Sequence, residues 1–410
     1  KIQEDEFRAY TAASWRNTCA GIACCGEMNN KFYASWATSS AFVGGSTFHG
    51  CWNILFQRLN KHPNAFECDV SAWDATLSAE MIQSLSGVLW SFVKESDRTK
   101  ENKVRWDNLF KEIYESLIIC PNGDLFVKTQ GNPSGSFLTI VTNTILHYML
   151  FAYAWLLLVP EKYHRFDLFE QLVELALCGD DSLYTVHDEV VKYFNVTSIT
   201  GEWRKLGIAA KLEAVAQGEL IKRAFLSQNT RLIGKLFLPY PDCEKVLSSL
   251  IYHTHAEQHV RWSYLKAAAL RLSSFWNDKS IGGCREYLSG FLSYLEQVYS
   301  HQLRSQCTRK GWDIFSWEEV KSVYKTDEEL AHLFITVEGN RTALKSDTGL
   351  KSSAIVGFHP VLSVYYAAQE EQGVSEGNEE TGQDPGEGKE TAEEAKEESR
   401  PSAEEIRTLD

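Results

Sequence analysis

A chain of 410 residues is too long for a single small core and long enough for two or three subdomains that each bury apolar surface. With 44% hydrophobic and 23% charged residues it has the composition of an ordinary soluble globular protein. A net charge of −14 spread evenly would argue against a nucleic-acid partner, but residues 369–410 hold 15 Asp and Glu against 4 Lys and Arg, which leaves −3 on the first 368. That segment, rich in Glu, Gly, Ser and Pro, has too few aromatic and β-branched residues to offset its ordering entropy, and a disordered acidic tail is expected there. The ten cysteines include no C-x-x-C pair to start a zinc knuckle, and Cys68, Cys120 and Cys178 sit in apolar runs, the pattern of a reduced intracellular protein. No basic-apolar-small signal peptide opens the chain.

Residues 1 to about 62 interleave Gly with aromatic residues (Gly44, Gly45, Phe48, Gly50, Trp52) and read as short strands and loops around helix-like pieces. Residues 66–70 form a short apolar strand ending in acid. A helix follows over 78–94, with Met81, Leu85, Val88 and Leu89 on its apolar stripe. Runs at 118–120 and 125–128 flank Pro121-Asn122-Gly123-Asp124 and predict a hairpin. The membrane-like stretch 136–160 contains Asn143, His147 and several Thr, so it predicts a buried pair of core helices rather than a transmembrane segment. Strands at 172–178 and 182–186 flank Gly179-Asp180-Asp181, which places both acids at a hairpin turn. From about Tyr252 onward the pattern is helical, with amphipathic stretches at 259–275 and 285–303.

Three groups of residues carry chemistry. Asp69 leaves a buried strand with Asp74 five residues on, a spacing that is weak by itself because acids are common at strand ends. Gly179-Asp180-Asp181 reads equally as a hydrated turn, yet two adjacent carboxylates at the edge of a core repel unless a cation sits between them. Hard oxygen ligands of this kind suit Mg²⁺. In Gly131-Asn-Pro-Ser134-Gly135, Ser134 reads as an N-cap or a binding residue, whereas Thr139 and Asn143, four apart, share one face of an apolar helix and need partners there.

The order D-x4-D, S-G-x3-T-x3-N and G-D-D resembles motifs A, B and C of the RNA-dependent RNA polymerases of positive-strand RNA viruses, matched here at Asp69, Asp74, Ser134, Gly135, Thr139, Asn143, Gly179, Asp180 and Asp181. Lys1 and Arg8 are similar to the end of the basic motif F, Leu206-Gly-Ile-Ala-Ala-Lys211 to motif D, and Phe225-Leu226-Ser227 to the motif E turn. Cys25-Gly-Glu-Met-Asn-Asn-Lys-Phe-Tyr33 with Gly50-Cys-Trp52 resembles the potyvirus and astrovirus branches of the picornavirus-like supergroup.

The resemblance implies an α+β right-hand polymerase with an RRM-like antiparallel palm sheet, partial fingers and a helical thumb. Its expected parts are fingers with the motif F end at 1–62, palm at 63–225, thumb at 226–368 and tail at 369–410. Fingers in this family begin well before motif F, so their N-terminal part is expected to be missing. The implied activity is nucleotidyl transfer from NTPs on an RNA template and primer, with two Mg²⁺ (or Mn²⁺) ions activating the primer hydroxyl and stabilising the leaving pyrophosphate. By this resemblance Asp69, Asp180, Asp181 and the Val70 carbonyl hold metal, and Asp74, Thr139 and Asn143 read the ribose 2′-hydroxyl. Ser134 and Gly135 join the nucleotide site, Lys1 and Arg8 meet the triphosphate, and Lys211 is the general acid, with Lys205 and Lys222 as neighbours able to compete for that role. Expected partners are other viral replication proteins, at membrane-associated complexes in the host cytoplasm. The competing readings are a reverse transcriptase and a non-catalytic RNA-binding replication scaffold. His255-Ala-Glu-Gln-His259 has metal-ligand spacing but no third ligand, and predicts exposed helix histidines.

Overall fold

The computed structural model describes residues 12–208, 217–251 and 259–305 and parts of 308–335, all within one unit, Lys1–Tyr366. Lys1, Arg8, Lys211, His255 and the acidic segment from residue 369 lie outside the described residues.

The N-terminal region is more helical than its Gly-aromatic pattern predicts. α1 (Trp15–Ala34) starts at Ser14, whose side chain accepts from the Asn17 backbone N–H, and α2 (Cys51–Leu59) buries Trp52, Leu55, Phe56 and Leu59. Between them the strand-like residues form only isolated bridges, Ala41 with Leu177 and Val43 with Gly45. The apolar residues there serve to cover a sheet instead of extending one.

That sheet is antiparallel, with β1 (Asn64–Cys68) and β4 (Val173–Cys178) on either side of β5 (Asp181–Val186). Phe66, Tyr184 and Leu175 form one cross-strand row, and Glu67, Leu183 and Ala176 the next, on the opposite face. The first face packs against helices: α3 (Trp73–Thr76), α4 (Ala79–Trp90), α5 (Lys100–Tyr114), α6 (Thr139–Leu158) and α8 (Val196–Lys205) all contribute to one core with Phe66, Tyr184, Leu175 and Leu177. The short α7 (Phe166–Leu172) leads into β4. The second face packs Ala65, Ala176 and Leu183 under Trp52, Leu55 and Phe56 of α2. Burial on both faces explains why these strands read as nearly continuous apolar runs.

The predicted pair of core helices is one unbroken helix, α6, with Leu146, His147, Phe151, Ala154 and Trp155 at its buried centre. It is the one described helix long and apolar enough to cross a membrane, and over half of it is buried inside the protein. Between α5 and α6 stands the predicted hairpin, β2 (Leu117–Ile119) with β3 (Leu125–Val127), turning at Gly123 with φ 90°.

A second hairpin, β6 (Gln228–Ile233) with β7 (Leu236–Pro241), follows the three-stranded sheet. Helices α9 (Cys243–Ile251), α10 (Val260–Ser273), α11 (Cys284–Val298), α12 (Ser300–Arg304), α13 (Trp317–Ser322) and α14 (Asp327–Ile335) complete the described chain. Tyr264, Leu288, Leu292 and Leu303 centre the common core of α9 to α13, whereas α14 packs Leu330 and Phe334 against Phe48, Leu272 and Phe275. The last described helix, α14, packs back on the residues before α2: the carbonyls of Leu333 and Phe334 accept from the backbone N–H groups of His49 and Gly50, and Phe334 packs on Phe48 with ring centroids 4.6 Å apart.

Candidate active site

The acids meet because the register brings them together. Cys68, the last residue of β1, pairs with Ser182, so the chain leaves β1 at Asp69 beside the start of β5, where the Asp69 carboxylate acts on Asp181. The Ser182 hydroxyl donates to the Cys68 carbonyl (3.2 Å), tying the strand end that carries Asp69 to the strand that carries Asp181. Cys178 pairs with Asp181, leaving Gly179-Asp180 as a two-residue turn; Asp181 is therefore the first strand residue instead of a turn residue. Gly179 has φ 66°, at the first position of the turn, where Gly is favoured.

The electrostatics follow from that geometry. Burial pushes the Asp181 carboxyl up to about 6, and the carboxylates of Asp180 and Asp69 push it in the same direction. Cys178, beneath the turn, is raised to about 12 by burial and by Asp181 and Asp180. The carboxylates of Asp69, Asp180 and Asp181 are hard oxygen donors, the type that a divalent cation takes. Among the described residues no three His, Cys, Asp or Glu side chains converge as a preformed cage. The Val70 side chain belongs to the core, so only its backbone carbonyl is available as a further ligand.

A polar chain leads away from the acids. Asn143 Nδ2 donates to Asp74 Oδ1 (2.7 Å), and Asn132 Nδ2 donates to Asn143 Oδ1 (2.8 Å). The backbone N–H of Asn132 donates to the Asp74 carbonyl (2.8 Å), and that of Gly131 to the Leu77 carbonyl (2.7 Å). Gly131, at φ 85°, is required here: a Cβ would stand 2.8 Å from the Asp74 carbonyl oxygen. The Thr139 hydroxyl donates to the carbonyls of Pro133 (2.6 Å) and Ser136 (2.9 Å), so it braces the loop before α6. Ser134 is not an N-cap; α6 is preceded by Leu138 with no side-chain cap, and both Ser134 and Gly135 are exposed in the loop.

Four residues of this site were not singled out for it by sequence spacing. Asn132 lies within the motif B loop and Lys128 at the end of β3, where burial pushes the ammonium down to about 8 while Asp74 opposes the shift. Thr144 and His147 lie on α6, and both reach Gly179: its N–H donates to Thr144 Oγ1 (2.9 Å) and its carbonyl meets His147 Nδ1 (3.1 Å). The only available signal was polarity inside an apolar run, which a satisfied core residue produces just as well.

An antiparallel sheet with carboxylates at one edge, backed by helices and followed by a helical C-terminal region, is the palm and thumb of a right-hand polymerase. A solved structure, the Sicinivirus 3Dpol RNA dependent RNA polymerase, has this fold: it superposes with a TM-score of 0.56 at 14% identity, over 82% of this chain and 63% of that one. The family described as "Viral RNA-dependent RNA polymerase" matches residues 1–296, and this chain belongs to it.

The genome polyprotein of Bean common mosaic necrosis virus (strain NL-3) is 27% identical over 271 residues, and that of Plum pox potyvirus (isolate NAT) 23% identical over 345. These matches span 66% and 84% of this chain but only 8% and 10% of the polyproteins. The potyvirus side of the resemblance is thereby supported.

Proposed function

We propose that this chain is the catalytic part of an RNA-directed RNA polymerase that copies a viral genome by adding NTPs to the 3′ end of RNA. Two observations carry the reading: Asp180 and Asp69 act on the Asp181 carboxyl at the sheet edge, and Asn143, on the same helix that bonds Gly179, donates to Asp74. In this reading Asp69, Asp180, Asp181 and the Val70 carbonyl hold Mg²⁺, with Mn²⁺ as a substitute. The ions would supply nucleophile activation and charge neutralisation on the transferring phosphoryl group. Asp74 and Asn143 receive the ribose 2′-hydroxyl, which a deoxynucleotide leaves unmatched. Asn132 and Gly131 keep that pair in place from below. Lys1, Arg8 and Lys211 are proposed for the triphosphate and proton transfer on motif resemblance alone.

Family membership favours this reading over a reverse transcriptase or a non-catalytic scaffold. The polyprotein context of the relatives supports partnership with other viral proteins, and membrane-associated complexes in the host cytoplasm are the proposed setting. The test is primer extension with NTPs and with dNTPs. Asn143→Ala should lower kcat/KM for NTPs about 5- to 150-fold, with much less effect on dNTPs, as expected for about 1–3 kcal/mol from one unmatched polar group. Asp180→Asn should abolish both reactions. An unchanged NTP/dNTP ratio in an active Asn143→Ala enzyme would remove the sugar-reading role; full activity of Asp180→Asn would remove the metal assignment.

A further inference from the structure

The Gly179-Asp180 turn is held from behind by one helix. Ile140, Thr144 and His147 of α6 stand at i, i+4 and i+7, so they share a face, and all three meet Gly179. A Cβ on Gly179 would lie 3.1 Å from Ile140 Cδ1, so the turn backbone rests directly on the helix. Thr144 Oγ1 donates its proton to the Ile140 carbonyl (2.7 Å), which leaves its lone pairs for the Gly179 N–H. The Gly179 carbonyl can only accept, so His147 must carry its proton on Nδ1 and donate. His147 is fully buried between Trp73, Phe151 and Trp203, with ring centroids 4.6, 5.2 and 5.5 Å away, and among the described residues its Nε2 has no hydrogen-bond partner. An imidazole whose second nitrogen is unmatched in an aromatic box is costly to bury. Phenylalanine would fill the same box without that cost. Both backbone polar groups of the residue preceding Asp180 are satisfied by these two side chains.

The same helix carries Asn143, which bonds Asp74. One rigid element therefore sets the distance between the sugar-reading pair and the acidic turn. We infer that Thr144 and His147 are positioning residues, which clamp the Gly179 peptide so that Asp180 and Asp181 are presented to the reacting phosphate at a fixed distance from the nucleotide held by Asp74 and Asn143. This inference rests on the polymerase reading of the acidic turn.

The decisive variants are Thr144→Val, which keeps shape and loses the hydroxyl, and His147→Phe, which keeps the aromatic packing and loses the donor. In primer extension by the full polymerase chain, each is expected to lower kcat roughly 10- to 100-fold, the scale of a displacement of about 1 Å at the reacting atoms. KM for NTP and the melting temperature should hold near their parent values, and Thr144→Ser should restore kcat. Two results would overturn the clamp: kcat within about twofold of the parent in both variants, or kcat, KM and melting temperature failing together in both without rescue by Thr144→Ser. Asp180→Asn, run alongside, separates the two levels, because its retained activity would sink the polymerase reading whereas its inactivity leaves the clamp judged by its own variants.

Discussion

Asp181 shows what one residue gives up to make this site. Its carboxyl is held at about 6, above the model-peptide value of 3.8, because burial and the neighbouring Asp180 and Asp69 disfavour its charge. The folded state thus keeps a proton that the unfolded chain has released once pH exceeds about 4. Stability from this group is present below the unfolded pKa and is lost as pH rises through 6. Asp181→Asn should accordingly raise the stability of the metal-free protein at pH 7.5 by about 1 kcal/mol after allowance for solvent screening, with the gain shrinking to nothing near pH 3.5. Urea denaturation at the two pH values measures it, and an equal gain at both would show that the repulsion is not what strains the site. Lys128 is the opposite case, a cation depressed by burial to about 8 and partly rescued by Asp74, a residue whose meaning appears only when β3 is seen beside α3.

At the scale of the element, the turn Phe225-Leu226-Ser227-Gln228 is the most strained described. Leu226 (φ 51°) and Ser227 (φ 58°) are both left-handed, and Phe225 and Gln228 exchange backbone hydrogen bonds of 3.0 and 2.9 Å across them. Two-residue hairpins of this kind favour Asn-Gly, because a side chain in the left-handed region costs about 1 kcal/mol or more. Ser227→Gly should therefore stabilise the protein by about 0.5–1 kcal/mol. Leu226→Gly should not, because Leu226 packs against the core under α2 and would lose that burial. Chemical denaturation of the pair tests the account, which fails if both substitutions shift the midpoint the same way. The hairpin itself was legible as a resemblance to motif E; the left-handed Leu-Ser pair was not, since those residue types ordinarily avoid that backbone region.

Across the whole molecule, α14 links the last described segment to the first. Phe334 is buried against Phe48 and Phe275, and its carbonyl caps the approach to α2, the helix that covers the outer face of the sheet. Phe334→Ala should cost about 3–5 kcal/mol by the usual accounting for a large core aromatic. A denaturation midpoint unchanged by this substitution would mean that the C-terminal helix is not integral to the fold. The half-buried Arg58 makes a comparable link, donating to the carbonyls of Ser39 (2.7 Å) and Leu175 (3.0 Å) and pairing with Glu174 (2.7 Å).

The candidate residues Asp69, Asp74, Asn143, Asp180 and Asp181 were picked out in the sequence by the resemblance of their order and spacing to the polymerase motifs, a spacing that local structure sets. A strand end, a helical face with period four and a two-residue turn each place side chains by neighbours close in the chain. The three strands were legible for the same reason. What the sequence could not specify was which segments cover them: the Gly- and aromatic-rich start reads as short strands and loops around helix-like pieces, whereas its apolar residues 51–59 form α2 and bury one face of a sheet whose other strands come far along the chain. Ser134 and Thr139 show the limit at single residues, one left exposed and the other turned to brace a loop, although both match the motif. Thr144 and His147 mark it most clearly. Their hydroxyl and imidazole are recognised as holding the acidic turn only once α6 and the β4–β5 turn, more than thirty residues apart, are packed together. Spacing reports contacts within an element, whereas contacts between elements depend on the packing of the whole chain.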